Sequence, residues 1–427
     1  MISKAKYFFG TLFMVLMAAS LMAGGNKAAA GTATTLRYWA HIETPWNKDD
    51  QRIIAAYKKA NPNVTIEYES FPYDDFESKT QTSLLSKSGG ADVYKIWGGW
   101  APDFIKANAF AAVPDEFISD LESDCYPPVL AGFQKDGKCY GVPLEFNFEF
   151  GGLLALKPFF DKNKIAYPKT WDEMIQIATK YSQSSGEVFT MRGFDFISND
   201  SVPYTFMAMI LQKGGQFVTS QNYQSTYDFN TPIAIEALQT LADYVTKNKV
   251  TSLGAITGGG DLENSDYVFL GQALMAPRGM WAIATGEEDY SLKLGKDFDY
   301  IAMPFWGPQK KWAAGSGWGL AVNNASQNQA AAWDFVKFIM APDSLMKTNI
   351  NCGMMPPRKS VALNPAYVKA VPYAKPIVDI LDGGQFIGYY NSDVLKQFIC
   401  DALVDVVNGK PAAEAVVDLN NKLQENQ

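Results

Sequence analysis

Residues 266–340 decide the fold of this chain. They contain three segments with clear secondary-structure patterns: DYVFLGQALMAPRGMWAIATG (266–286), FDYIAMPFW (298–306) and GSGWGLAVNNASQNQAAAWDFVKFIM (315–340). The middle segment predicts a buried strand that is stopped by Pro304. In the last segment, residues 320–322 predict another strand, and Ser326 with Gln329 three residues later predicts a capped helix start. The stretch therefore predicts two strands followed by a helix.

The N-terminal part alternates between strand and helix patterns. It predicts strands at 35–39, 64–68 and 91–96 and helices at 49–60 and 74–86. This order implies a parallel sheet with right-handed crossovers, in which ligands bind outside the carboxyl ends of the strands. Two predicted loops meet that criterion, residues 41–46 and 97–100.

Four segments carry a family resemblance. They are the glycine-tryptophan segment (Gly271, Ala273, Met275, Gly279, Trp281), GKCYGVP at 137–143, PKTWDE at 168–173, and a helix with Ala332, Phe335 and Phe338. In this order they resemble the extracellular solute-binding proteins of ABC importers, specifically the carbohydrate-binding family that includes the maltose-binding protein. The resemblance covers nearly the whole chain after residue 30. One departure is Leu274, which is inserted between Ala273 and Met275.

The resemblance implies a two-lobed α/β fold of the periplasmic-binding-protein type, each lobe a sheet flanked by helices. Lobe 1 would comprise residues 31–144 plus 305–345, and lobe 2 residues 145–304 plus 346–427. A sugar or oligosaccharide would bind in the cleft between them, and closure about the hinge would present it to a membrane permease. The implied protein is a monomer without a cofactor, and it is not an enzyme.

The leader, residues 1–30, has the pattern of a cleavable secretory signal peptide. Lys4 and Lys6 precede an apolar run, and small residues follow up to Ala30. A retained membrane anchor is the alternative, but the run is somewhat short for a span. No cysteine lies near residues 23–25 to carry a lipid, so the mature protein is expected free in a periplasm.

Tryptophans beside glycines supply the sharpest local signals for a site. Trp97 and Trp100 flank Gly98-Gly99, where an indole offers a flat apolar face that suits a sugar ring, unless both indoles only pack on the next helix. The full set of candidate ligand-binding residues is Glu43, Trp46, Trp97, Trp100, Glu145, Asn147, Trp281, Gly317, Trp318, Arg358 and Tyr390.

Several of these candidates could instead have a purely structural role. Glu43 fits a solvated loop carboxylate, and Arg358 fits a surface ion pair. Glu145 and Asn147 lie in LEFNFEF (144–150), whose alternation by itself predicts a strand with Glu145, Asn147 and Glu149 on a wet face. The resemblance instead makes this segment the crossing between lobes and the pocket floor.

Composition narrows the alternatives. A net charge of −8 over 427 residues, with no basic block, argues against nucleic acid as a partner. His41 is the sole histidine, so a Ser–His or Cys–His catalytic arrangement must include it. The rivals are an exported carbohydrate-active enzyme using Glu43, Glu145 or Asp266, and a binder of a polyamine, iron or another non-sugar solute.

The four cysteines suggest disulfides in an exported protein. Three pairings are possible. The short loop between Cys125 and Cys139 favours that pair, which leaves Cys352 with Cys400. There is no CxxC motif, so neither a zinc site nor a redox site is predicted.

Overall fold

The computed structural model describes residues 33–86, 89–186, 188–221, 223–257 and 262–425. The predicted signal peptide lies outside these residues. Of the described helices, none has the length and apolar character needed to cross a bilayer.

The strands are short and come from all parts of the chain. They are β1 Thr34–His41, β2 Val64–Phe71, β3 Val93–Trp97, β4 Gln134–Lys135, β5 Lys138–Cys139, β6 Val142–Pro143, β7 Gly152–Ala155, β8 Gln183–Ser185, β9 Val188–Met191, β10 Val218–Gln221, β11 Gln224–Tyr227, β12 Met275–Pro277, β13 Asp299–Ala302, β14 Trp312–Ala314, β15 Trp318–Val322 and β16 Gly384–Phe386.

The helices cover the sheets and form the C-terminal part of the chain. They are α1 Thr44–Ala60, α2 Tyr73–Ser86, α3 Ala101–Lys106, α4 Asp115–Asp124, α5 Pro127–Ala131, α6 Lys157–Asn163, α7 Trp171–Tyr181, α8 Ser201–Gln212, α9 Pro232–Thr246, α10 Asn264–Phe269, α11 Trp281–Glu288, α12 Gln329–Met340, α13 Pro342–Cys352, α14 Lys359–Ala362, α15 Pro365–Ala370, α16 Lys375–Val378, α17 Ser392–Val407 and α18 Ala412–Glu425.

Two separate sheets organise the molecule. The first has the order β2-β1-β3-β15-β6, with β1 parallel to β2 and β3 and with β15 antiparallel to β3 and β6. The second has β7 at its centre, with β12 and β13 antiparallel on either side. The strand–helix–strand–helix–strand prediction for the N-terminal part is confirmed, and so are the strands predicted at 298–303 and 320–322.

Local chemistry explains why the helices start where they do. Thr170 caps α7 by accepting a hydrogen bond from the backbone N–H of Glu173, whose carboxylate accepts one from the Thr170 N–H. Thr231 caps α9 by accepting from the Ala234 N–H, with a proline at the first helical position.

Two predicted helix starts are wrong. The first helix begins at Thr44 rather than Asp49, because Pro45 fits the first turn and Glu43 is extended. The helix α12 follows Asn328 rather than Ser326, whose hydroxyl instead donates to Asp92.

Neither predicted disulfide is present, since all four cysteines are free and buried. Cys139 donates its thiol hydrogen to the Gly141 carbonyl. Cys352 ends α13, which packs on α1, whereas Cys400 lies in α17, which packs on α8 and α9. Burial raises the pKa of the Cys125 thiol to about 12 and that of Cys139 to about 11, so both stay protonated and poorly reactive.

Candidate functional site

A cleft of about 540 Å³ opens at the carboxyl ends of β1, β2 and β3, facing the second sheet. Its walls are contributed by strands of the first sheet, by α1, α2, α11 and α17, and by segments next to the second sheet. The lining residues are His41, Glu43, Trp46, Tyr73, Asp74, Glu77, Trp97, Glu145, Asn147, Glu149, Asn199, Asp200, Glu263, Trp281, Trp318, Asp393, Lys396 and Gln397.

The first sheet supplies an aromatic wall. Trp97 ends β3 and is paired in register with Trp318, the first residue of antiparallel β15, so both indoles reach the same edge. The Trp318 indole stacks on the His41 ring, with 4.6 Å between the ring centroids and 13° between the ring planes. Its centroid also lies 5.7 Å from those of the Trp46 and Trp97 rings. These three indoles are no more than 8% exposed, so they form the wall itself and show only small areas to the cleft.

Glycines make this close packing possible. A Cβ on Gly99 would lie 1.8 Å from the Ser392 hydroxyl oxygen and 2.4 Å from the Trp97 indole nitrogen. Gly317 has a φ of +71°, and a Cβ there would lie 2.9 Å from Glu145. Both positions therefore need glycine because neighbouring groups occupy the space of a side chain.

His41 is a weak base in this position. Its Nδ1 is buried without a hydrogen-bond partner, and burial lowers the pKa of the ring to about 3, with Lys95 adding to the effect. The ring is therefore neutral at physiological pH. The chain's one histidine thus serves as a stacking partner of Trp318.

The segment 144–150 forms the cleft floor, and the alternating strand with a wet face is wrong. Glu145, Asn147 and Glu149 are each at most 7% exposed, and an isolated bridge joins Asn147 to Gly315. Asn147 donates to the Tyr204 hydroxyl at 2.9 Å, and Glu145 accepts from the Trp318 backbone N–H at 3.1 Å.

Both floor glutamates resist ionisation. Burial raises the pKa of Glu145 to about 8 and that of Glu149 to about 7, each with a contribution from a neighbouring carboxylate. Glu149 accepts a hydrogen bond from the Trp281 indole at 3.0 Å through Oε1, whereas its buried Oε2 has no partner.

The opposite wall is charged. Lys396 of α17 pairs with Asp200 at 2.8 Å and with Asp393 at 2.6 Å. Arg278, directly after β12, pairs with Glu263 at 3.2 Å, and its guanidinium lies 4.6 Å from the centre of the Trp281 ring. The acidic groups of this wall are therefore held by two buried cations.

Direct hydrogen bonds bridge the cleft. Thr285 of α11 donates to Glu43 at 3.2 Å, and Lys48 of α1 forms an ion pair with Glu288. On another side, the Trp97 indole donates to Ser392 at 2.9 Å, and the Trp100 indole donates to Asp393 at 2.7 Å. The two sides of the cleft are therefore in direct contact, with α1 and β3 joined to α11 and α17.

The structure brings seven of the predicted site residues together: Glu43, Trp46, Trp97, Glu145, Asn147, Trp281 and Trp318. The remaining four do not line the cleft. Trp100 is buried behind Asp393, and Gly317 lets its loop approach Glu145. Arg358 is buried between Asp120 and Asp124, and Tyr390 lies at a separate hollow with Tyr223. Asp266 caps α10 and is not among the cleft residues.

The sequence reasoning missed the acidic residues of α2 and the contribution of α17. Asp74 and Glu77 follow β2, so the rule that ligands bind at the carboxyl ends of parallel strands applied to them as well. Glu149 lies in the same segment as Glu145. No local pattern marked Asp393 or Lys396, because their place in the cleft depends on how α17 packs. Among the described residues, no group of three or more His, Cys, Asp or Glu side chains is arranged to hold a metal ion.

The chain is similar in sequence to known binding proteins. Residues 52–375 match the family model described as bacterial extracellular solute-binding protein. An uncharacterised ABC transporter extracellular-binding protein of Pyrococcus horikoshii is 24% identical over 42% of this chain and 43% of its own length. A putative binding protein of Brucella abortus is 25% identical over 83% of each chain. An arabinooligosaccharide-binding protein of Halalkalibacterium halodurans is 22% identical over 78% of this chain and 74% of its own.

Solved structures share the fold. Maltose-bound MalE3 of T. maritima has a TM-score of 0.75 at 20% identity and covers 92% of this chain and 100% of its own. The GacH receptor of Streptomyces glaucescens, solved unliganded and with acarbose, has a TM-score of 0.75 at 21% identity, covering 92% and 98%. The two-lobed fold and the family expected from the sequence motifs are thereby confirmed. The chain belongs to the bacterial extracellular solute-binding proteins.

Proposed function

We propose that this chain is the substrate receptor of an ABC importer, which binds a sugar or oligosaccharide in the cleft and delivers it to a membrane permease. The observation that carries the proposal is the meeting of aromatic rings with carboxyl and amide groups in one cleft. A sugar presents an apolar C–H face and a belt of hydroxyls, so it needs both kinds of surface. Trp281, which is partly exposed, and the acceptors Glu145 and Asn147 supply them.

The named relatives support this ligand class. One binds arabino-oligosaccharides according to its name, and structures of the same fold hold maltose and acarbose. In this chain, we propose that residues 31–144 plus 305–345 form lobe 1 and that residues 145–304 plus 346–427 form lobe 2. The strands of the first and second sheets fall on either side of these boundaries.

Export and assembly complete the proposal. The family is extracellular, and we propose that residues 1–30 are a cleaved signal peptide that directs a monomer to the periplasm. The rival enzyme remains part of the test, because Glu43 and Glu145 both line the cleft.

The test is a thermal-shift and calorimetric screen of residues 31–427 against mono- and oligosaccharides, with chromatography of each saccharide after incubation. Binding to the native state must raise the melting temperature. A ligand at a hundredfold excess over its Kd adds about 2.7 kcal/mol to the free energy of unfolding. The expected result is a shift with one saccharide, unchanged in mass. A shift with no saccharide would contradict the proposal, and disappearance of a saccharide would favour the enzyme.

A matched pair of variants checks the site. Trp281→Ala removes a ring at the cleft, whereas Trp306→Ala removes a partly buried ring that does not line it. We expect at least a tenfold loss of saccharide affinity in the first variant and none in the second. Equal affinities would place the saccharide elsewhere.

A further inference from the structure

Charge in the cleft is strongly unbalanced. Eight carboxyl side chains line it, whereas the lining residues include one lysine, Lys396, no arginine, and His41, whose ring is neutral. Lys396 already pairs with Asp200 and Asp393, and buried Arg278 behind the wall pairs with Glu263. Lys396 and Arg278 are therefore already paired with three of the eight carboxyl groups, those of Asp200, Asp393 and Glu263.

The other five carboxyl groups are without counterions. They belong to Glu43, Asp74, Glu77, Glu145 and Glu149, and none has an ion-pair partner within the described part of the chain. Glu145 and Glu149 hold their protons more tightly than usual because burial raises their pKa values, so their negative charge develops when a cation enters and adds to the field of the cleft. That field attracts a cation and disfavours an anion.

Glu149 carries a buried carboxyl oxygen without a hydrogen-bond partner in the described part of the chain. Its side chain is 7% exposed and lines the cleft floor, yet Oε2 has no hydrogen-bond partner. A buried oxygen without a partner costs free energy that a donor from a ligand would recover. Glu145, on the same floor, has only the Trp318 N–H on its Oε1. Burial raises the pKa of both groups, and an adjacent positive charge would lower it again.

We propose that the natural ligand is an amine-bearing saccharide whose ammonium group binds to Glu149 and Glu145 on the cleft floor. The saccharide part of this inference rests on the proposed function. An ammonium group offers three donors, which suits the free oxygen of Glu149 and the carboxyl group of Glu145. An organic cation fits better than a metal ion, because no metal-binding group of side chains exists among the described residues. The partly exposed Trp281 ring beside Glu149 takes the carbon skeleton.

Matched saccharides test the inference by isothermal titration calorimetry at pH 7. The probes are glucosamine, N-acetylglucosamine and glucose, their β-1,4-linked disaccharides, and spermidine as a polyamine without a sugar. We expect the amine to bind at least tenfold more tightly than its acetylated and hydroxyl counterparts. The preference should weaken with added salt. Because Glu149 has a pKa of about 7 without ligand, amine binding should also release protons, which is measured in buffers of different ionisation enthalpy.

Two variants locate the charge. Glu149→Gln should bring the ratio of amine to neutral affinity close to one, whereas Glu414→Gln, at an exposed position on α18, should leave the ratio unchanged. Circular dichroism and melting temperature confirm that both variants are folded.

Each contrary result has a defined meaning. Equal affinity for amine and neutral saccharides would overturn this inference and leave the proposed function standing. An amine preference that survives in Glu149→Gln would overturn the assigned position. Binding of spermidine without any saccharide would overturn both the inference and the proposed function. Binding of no probe would overturn this inference alone, because the proposed function is decided by the broader saccharide screen.

Discussion

The aromatic wall and the acidic floor of the cleft differ in the kind of interaction that holds their side chains. Trp318 is packed among His41, Trp46 and Trp97, and the Trp97 indole nitrogen donates to Ser392. On the floor, Glu149 keeps a buried oxygen without a partner. The wall also has one buried polar atom without a partner, His41 Nδ1, but its rings pack on one another, whereas the partnerless atom of the floor is a carboxyl oxygen.

This difference indicates that the two regions serve different ends. Buried rings in close contact stabilise the fold through apolar burial and dispersion. Buried carboxyl groups without counterions cost stability, and such costs are typical of functional sites. Mutations in the wall should therefore act mainly on stability, and mutations on the floor mainly on ligand binding.

The largest effect is expected from Trp318→Ala. The indole is 6% exposed and contacts rings on several elements, so its loss leaves a large cavity. We expect a loss of about 3–5 kcal/mol in the free energy of unfolding, measured by denaturant titration. Trp306→Ala, which removes a less buried ring, is the control. Similar losses in the two variants would show that the wall is not a special stabilising unit.

Lys396→Met should rank second. The Lys396 side chain is 9% exposed and joins Asp200 and Asp393, so its removal leaves Asp393 without an ion-pair partner and Asp200 with only Arg278 at 3.5 Å. We expect a loss of about 2–3 kcal/mol in the free energy of unfolding, since the two aspartates are partly exposed. The double variant Lys396→Met with Asp200→Asn should recover part of that loss. A double variant less stable than the single one would refute the electrostatic explanation.

The acidic floor makes stability depend on pH. Burial raises the pKa of Glu145 from 4.5 to about 8, despite the Trp318 N–H and Lys95, and Glu149 adds to the rise. The folded state therefore holds this proton more tightly than the unfolded state does. The resulting stabilisation is complete below pH 4.5 and is lost as the pH rises through 8.

The melting temperature without ligand should consequently fall between pH 5 and pH 9, and the fall should be smaller in Glu145→Gln by about 2 °C or more. The melting temperature of Glu145→Gln should still fall somewhat with rising pH, because burial also raises the pKa values of Glu149 and Asp195. Glu414→Gln serves as the control. An identical slope in Glu145→Gln and the parent would show that Glu145 does not titrate in this range.

The smallest effect concerns the bridge across the cleft. Thr285→Val removes the hydrogen bond from Thr285 to Glu43 and keeps the shape of the side chain. We expect a loss of about 0.5–1.5 kcal/mol in ligand binding, because this bond joins the two sides of the cleft that enclose the ligand. Calorimetry with the saccharide found in the screen measures it, and Thr240→Val on the exposed face of α9 is the control. Unchanged affinity would show that this bond does not contribute to closure.

Much of the fold was predictable because it depends on local patterns. Alternating apolar residues marked β2, and the Thr170–Glu173 capping box marked the start of α7. Trp97 was predictable as a cleft residue because it ends a parallel strand. Trp100 looked equivalent in sequence, but the turn directs its indole to Asp393, behind the cleft wall.

The sequence by itself determined the alternation of strands and helices, the family, and the glycine-flanked tryptophans at the strand ends. These features follow from side-chain periodicity and backbone freedom, which act over a few residues. The tertiary structure alone decided that Glu149 is buried with a free oxygen and that Lys396 is already paired. It also left Arg358 outside the cleft and the four cysteines unpaired. These outcomes depend on distances between residues far apart in the chain, which packing sets and local patterns do not encode.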